Sequence, residues 1–122
     1  MTETILNWVN ICVKKDEEIL LLNRQHDNFK GWIQPGGKVE FPESFFEAAR
    51  RELKEETGLT ALNLELKGIS GFTNPSKKER YVYYDFLCTA FEGHVRGNDH
   101  EGEPKWWKIS ELDQIDMQDD IR

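Results

Sequence analysis

Three glutamates, Glu52, Glu55 and Glu56, follow one another at spacings of i, i+3 and i+4. On a helix, that spacing turns all three carboxylates to one side, within a few ångströms of each other. Like charges so placed destabilise a bare helix, and the ordinary reading is a solvated acidic face with Arg51 and Lys54 as partial partners. Two neighbours argue for more. The glycine loop Gly36-Gly37 precedes the acids, and Glu43 lies between loop and acids. Three converging carboxylates make sense if hard divalent cations sit between them, since magnesium prefers carboxylate oxygen and bridges to substrate phosphates.

The acids need a rigid helix beneath them, and the sequence supplies one. Ser44 is placed to be its N-cap, with Glu47 three residues later completing a capping box. Phe46, Ala49 and Leu53 recur at helical spacing and should face the core. Gly58 follows as the C-terminal stop. Around this helix the chain reads as strands. Ile5 to Val13 is rich in β-branched and aromatic residues, Lys14 to Glu17 is a hairpin turn, and Glu18 to Asn23 returns. A polar loop runs from Gln25 to Gly31. Trp32-Ile33 is a short extended piece stopped by Pro35-Gly36-Gly37, which cannot be helical. Strands are predicted again over Leu62 to Phe72 and Arg80 to Phe91, separated by a loop around Asn74 to Lys78. Gly93 to Lys105 reads as a loop, Trp106 to Ile109 as a last short strand, and Ser110-Glu111-Leu112 as a turn or short helix. Strands with one inserted helix define a mixed α/β or α+β domain.

The 122 residues suit one domain, residues 1–122, without repeat or linker. A net charge of -7 argues against non-specific nucleic-acid binding, which needs a basic surface. It leaves room for a small phosphorylated substrate, because divalent cations invert the local field. Cys12 and Cys88 lie in apolar, strand-like runs and read as buried free thiols, with a disulfide between them as the alternative. Met1-Thr2-Glu3-Thr4 is no signal peptide, and no apolar stretch approaches a membrane span. A cytoplasmic protein, monomeric or homodimeric and without a membrane partner, is expected.

Taken together, Gly37, Glu43, Arg51, Glu52, Leu53, Glu55, Glu56, Gly58 and Leu59 fill every position of a known pattern. This stretch resembles the signature of the Nudix hydrolases: Gly, five residues, Glu, seven residues, then Arg-Glu-apolar-any-Glu-Glu-any-Gly-apolar. At ordinary residue frequencies its seven fixed positions match by chance at roughly 1 in 10⁸ per start point. The resemblance implies an α/β/α sandwich with a mixed sheet, the motif helix following the glycine loop. It also implies hydrolysis of a diphosphate linkage. Glu52, Glu55 and Glu56 would then ligate Mg2+ or Mn2+, with Glu52 a candidate general base. The backbone carbonyl of Gly36 or Gly37 would add a ligand, and Arg51 with Glu43 would lock loop to helix.

Outside the box, the chain looks most like the MutT-type branch, which acts on oxidised purine nucleoside triphosphates such as 8-oxo-dGTP. Lys38, just after the glycines, would reach a phosphate as a point charge. Glu101 resembles the site of an extra metal-binding glutamate, and Arg24 stands where that branch can place a phosphate-binding arginine. Trp32 and Phe72 are candidates for the slot a purine needs, alongside Phe29, Tyr83 and Trp106. Asp119 and Asp120 resemble an aspartate pair that reads the base edge. An ADP-ribose or nucleotide-sugar pyrophosphatase is the rival, and its usual mark, a proline about sixteen positions past the box, is met by Pro75. A catalytically silent nucleotide-binding module is the alternative of another class; such modules usually lose a box glutamate or the arginine, and all are present here.

Overall fold

The computed structural model describes residues 2–24, 31–96 and 102–114. In chain order the elements are β1 (Thr4–Lys15), β2 (Glu18–Arg24), β3 (Gly31–Ile33), β4 (Gly36–Lys38) and α1 (Phe45–Thr57). They continue with β5 (Thr60–Ala61), β6 (Glu65–Asn74), β7 (Glu79–Cys88), β8 (Phe91–Glu92) and β9 (Glu103–Lys108). A 3-10 turn, Pro75–Lys77, joins β6 to β7, and a second, Ile109–Gln114, follows β9.

Seven strands form one mixed sheet, ordered β3-β2-β1-β7-β6, with β4 paired to β1 and β9 paired to β2. β1 and β7 run parallel, from Thr4↔Glu79 to Val13↔Cys88. The remaining pairings are antiparallel, and the short strands β5 and β8 pair separately. Near the start of β1 the neighbour is β4, at Trp8↔Lys38, Val9↔Gly37 and Asn10↔Gly36. That short strand carries the glycines.

Side chains alternate across a sheet, and the alternation divides β1 cleanly. Val9, Ile11 and Val13 are fully buried with Leu20, Phe86 and Cys88 against Ala48, Ala49 and Leu53 of α1. Cys12 faces the other way, into a smaller cluster with Ile19, Leu21, Trp32, Trp107 and Leu112. Cys12 and Cys88 are therefore on opposite faces and are free thiols; burial raises both thiol pKa values. Among the described residues, the layer opposite α1 holds the second 3-10 turn, and no helix is long and apolar enough to cross a membrane.

Helix α1 is capped as expected. Ser44 Oγ accepts from the Glu47 N–H at 3.1 Å, and Glu47 Oε1 accepts from the Ser44 N–H at 2.8 Å. Gly58 ends it with φ of 82°, a left-handed conformation that suits glycine. One core position differs from expectation. Phe46 is 49% exposed and touches Phe86 only edge-on, whereas Phe45 stacks on Tyr84 with ring centroids 3.8 Å apart. The buried stripe runs through Ala48, Ala49, Leu53, Glu56 and Thr57. Leu53 is its largest apolar member, so Leu53→Ala should cost about 2–5 kcal/mol of stability, read from denaturant melts.

The last strand also departs from expectation. β9 starts at Glu103, within the stretch read as a loop, and ends before Ile109. β2 supplies the cause: Asn23↔Glu103 and Leu22↔Pro104 extend the ladder past the apolar Trp106-Trp107. A proline is tolerated there because β9 is an edge among the described residues, where a missing N–H need break no ladder bond.

Candidate active site

The three box glutamates leave α1 in different environments. Glu56 points inward and is 2% exposed. Its Oε1 accepts a hydrogen bond from the Gly36 N–H at 3.3 Å. Glu52 has a side chain 15% exposed and Glu55 one 56% exposed, so the acids step from buried to open along one helix face. A carboxylate held inside costs stability unless it is paired, hydrogen-bonded or bound to a metal.

Arg51 is the hub. Its Nε and Nη2 donate to the two oxygens of Glu43 at 2.6 and 3.0 Å. Nη1 donates to Glu52 Oε1 at 2.5 Å and Glu55 Oε1 at 3.2 Å. Nη2 also reaches the Lys38 carbonyl at 3.1 Å, with Glu40 3.7 Å away. One side chain thus ties the glycine strand, the connecting loop and the helix together. The Arg51 hydrogen bond holds Glu43 below the usual carboxylate range, helped by the Glu40 N–H; Glu43 in turn raises the already high Arg51 pKa.

Both glycines stand in close approach to a neighbour, and they look in opposite directions. A Cβ on Gly37 would lie 2.1 Å from Glu52 Oε2, so the carboxylate occupies the space a side chain would take. A Cβ on Gly36 would lie 2.2 Å from the Val9 carbonyl oxygen and 3.0 Å from Asn10 Oδ1. Gly37 faces the helix; Gly36 faces the other side of the sheet.

The donor type suits a hard divalent cation: carboxylates of Glu52, Glu55 and Glu56 on one helix, with Glu56 and Glu52 against the glycine strand. A cation already sits among them in the form of the Arg51 guanidinium, shared by Glu43, Glu52 and Glu55. No three His, Cys, Asp or Glu side chains among the described residues are gathered around one metal-sized position. Arg51 Nη1 takes the place between Glu52 and Glu55.

The other expected positions scatter. Lys38 is exposed and pairs with Trp8 across β4 and β1. Arg24 closes β2 opposite Gly31. Trp32 packs edge-on against Trp107, centroids 5.0 Å apart, in the small cluster behind the sheet. Phe72 lies half-exposed on β6, stacked on Tyr81 at 4.7 Å. Trp106 packs against the main core beside Phe91, and Pro75 opens an exposed 3-10 turn. Glu101, Asp119, Asp120 and Phe29 lie outside the described residues.

Trp8, Asn10 and Asp85 escaped the reading from sequence. They line the sheet face opposite α1, beside β4: Asn10 Nδ2 donates to Asp85 Oδ1 at 3.2 Å, and the Trp8 and Tyr83 rings are 6.4 Å apart at 28°. The available signals were the period of two along Trp8-Val9-Asn10-Ile11 and the lone acid inside Tyr83-Tyr84-Asp85-Phe86.

The fold and the acid helix define a Nudix hydrolase: the NUDIX domain model matches residues 6–122, and the chain belongs to this family. The chain is 31% identical to an ADP-ribose pyrophosphatase of Methanocaldococcus jannaschii, over 88% of this chain and 64% of that protein. It is 38% identical to an 8-oxo-dGTP diphosphatase of Haemophilus influenzae, over 60% of this chain and 51% of that protein. The crystal structure of a MutT protein from Bacillus halodurans superposes with a TM-score of 0.81 at 32% identity, over 95% of this chain and 76% of that one. The chain thus spans about two thirds of one of these curated relatives and half of the other.

Arg51→Ala should lower both Tm and turnover, since it leaves Glu43 without its bidentate partner and Glu52 facing Glu55 unscreened. Glu43 is depressed in the folded state, so its share of the stability is present above the unfolded carboxylate pKa. That share is lost as pH falls through the lower folded value. The Tm gap between wild type and variant should therefore be full at neutral pH and close in acid. A gap that widens in acid, in scanning calorimetry, would count against the pair.

Proposed function

We propose that the chain hydrolyses an oxidised purine nucleoside triphosphate, of the 8-oxo-dGTP kind, to the monophosphate and pyrophosphate. The carrying observation is the acid set of α1 closed against Gly36 and Gly37 and already holding a cationic group. Members of this family generally use a divalent metal, usually Mg2+. Here Glu52, Glu55 and Glu56 would hold it, with a glycine carbonyl of β4 and Glu101 as further donors; Mn2+ would serve as well. The chemistry such an ion supplies when bound is polarisation of the phosphate and a lowered pKa for the attacking water. Glu52, beside Gly37, would take the proton from that water. Arg51 and Glu43 fix the helix against the glycine strand, and Lys38 and Arg24 offer charge to the remaining phosphates. Trp32, Phe72, Asp119 and Asp120 complete the substrate side of this reading.

The structural match to a MutT protein and the identity to an 8-oxo-dGTP diphosphatase support the triphosphate. The ADP-ribose pyrophosphatase relative and the position of Pro75 favour the second reading, ADP-ribose. The free thiols and the family match over residues 6–122 support one catalytic domain working in a reducing, cytoplasmic compartment.

A panel of 8-oxo-dGTP, dGTP, ADP-ribose, diadenosine polyphosphates and a sugar nucleotide, assayed with Mg2+ and with chelator, tests the proposal. The expected result is chelator-sensitive release of pyrophosphate, fastest with 8-oxo-dGTP. Preference for ADP-ribose would transfer the assignment to the second reading. No turnover would favour a silent nucleotide-binding module, and turnover indifferent to chelator would sink the metal dependence.

A further inference from the structure

Across β1, β7 and β6, the residues Asn10, Asp85 and Gly68 stand in one register row. Their neighbours Val9, Ile11 and Phe86 are buried toward α1, so this row belongs to the opposite face. Asp85 is the centre of a polar network and the one charged residue between Tyr81 and Cys88. Its Oδ1 accepts from Asn10 Nδ2 at 3.2 Å and its Oδ2 accepts from the Ser70 hydroxyl at 3.3 Å. Each carboxylate oxygen keeps further acceptor capacity, and none of it can be satisfied by another acceptor. At the β6 end the row is open, because a Cβ on Gly68 would meet nothing within 4 Å.

In the next row Trp8 and Tyr83 lie 6.4 Å apart at 28°, and Phe72, one row further along opposite Tyr81, lies 6.0 Å from Tyr83 at 24°. Aromatic rings beside a carboxylate form an apolar surface with an acceptor along one side. This surface adjoins the acids of α1 through one strand: Asn10 pairs with Gly36, whose N–H donates to Glu56. Among the described residues β4 pairs on one side only, with β1, so a ligand of nucleotide length can pass its other edge, with phosphates on the helix side and a base on the other.

We propose that Asp85, held by Asn10 and Ser70, reads the donor edge of a guanine-type base lying against Trp8 and Tyr83. A carboxylate takes two coplanar donors side by side in a bidentate pair. Guanine, oxidised at C8 or not, offers a ring N–H next to an exocyclic amine on that edge. Adenine offers an acceptor nitrogen next to its amine, which would face the carboxylate charge. Hypoxanthine keeps the ring N–H and lacks the amine. The ligand class rests on the proposed function; the base preference adds to it.

Titrating the full chain with GMP, IMP and AMP in the presence of EDTA, followed by tryptophan fluorescence, separates the two. Affinity should fall in the order GMP, IMP, AMP, with GMP about tenfold tighter than AMP. Asp85→Asn, isosteric and half-exposed, should abolish the GMP advantage. Equal binding of the three nucleotides by the wild type, or no binding, overturns the inference without needing any variant. So does an unchanged order in a folded Asp85→Asn protein. Turnover of triphosphates together with base-blind binding would leave the proposed function standing and remove this inference. Turnover of ADP-ribose alone, with the GMP order intact, would do the reverse.

Discussion

Glu52→Gln is expected to lower kcat by roughly 10²–10⁴-fold while the protein stays folded. The carboxylate is the one that fills the space above Gly37 and faces Arg51 Nη1. The amide keeps its size and its hydrogen-bonding reach but loses the charge that would bind a cation and the basicity that would accept a proton from water. Stability should change little or rise, because one of the crowded acids on α1 becomes neutral. Initial rates with saturating 8-oxo-dGTP and Mg2+, alongside a thermal melt, read both quantities. A folded Glu52→Gln protein with the wild-type rate would remove Glu52 from the chemistry altogether.

Gly37→Ala is expected to act at the same place from the opposite side, reducing turnover about 10²-fold for a displacement on the ångström scale. The added methyl meets only the end of the Glu52 side chain, which can swing away at little cost to the fold. Gly36→Ala supplies the contrast. Its methyl would strike the Val9 backbone oxygen, which cannot move without breaking the β1–β4 pairing, so this change should appear chiefly as lost stability. If the Gly37 effect runs through Glu52, the double variant Gly37→Ala/Glu52→Gln should be hardly slower than Glu52→Gln alone. Additive losses would show that Gly37 acts by another route.

The parts legible in the sequence were those written in local spacing. Ser44, Glu47 and Gly58 mark the helix ends by chemistry that needs nothing from the rest of the chain. The i, i+3, i+4 acids and the Gly37-to-Leu59 pattern placed the acid-bearing helix directly. Phe46 was misjudged because the buried stripe is set by where the sheet lies, and Phe45 is the residue facing Tyr84. β9 began early because β2 was there to pair with it, a contact across about eighty residues of chain. Asp85 and Asn10 were missed for the same reason. They are 75 residues apart in sequence, and only the parallel β1–β7 register makes them neighbours.

The opposed outlook of Gly36 and Gly37 has a consequence for how such a protein can change over time. On the proposed reading, cutting and choosing are housed on different sides of a wall one strand thick. Residues that select the cargo can be exchanged on one side without disturbing the blade on the other. A library varied at Trp8, Asn10, Ser70 and Asp85 should therefore yield proteins that differ in what they accept and still share one hydrolytic apparatus.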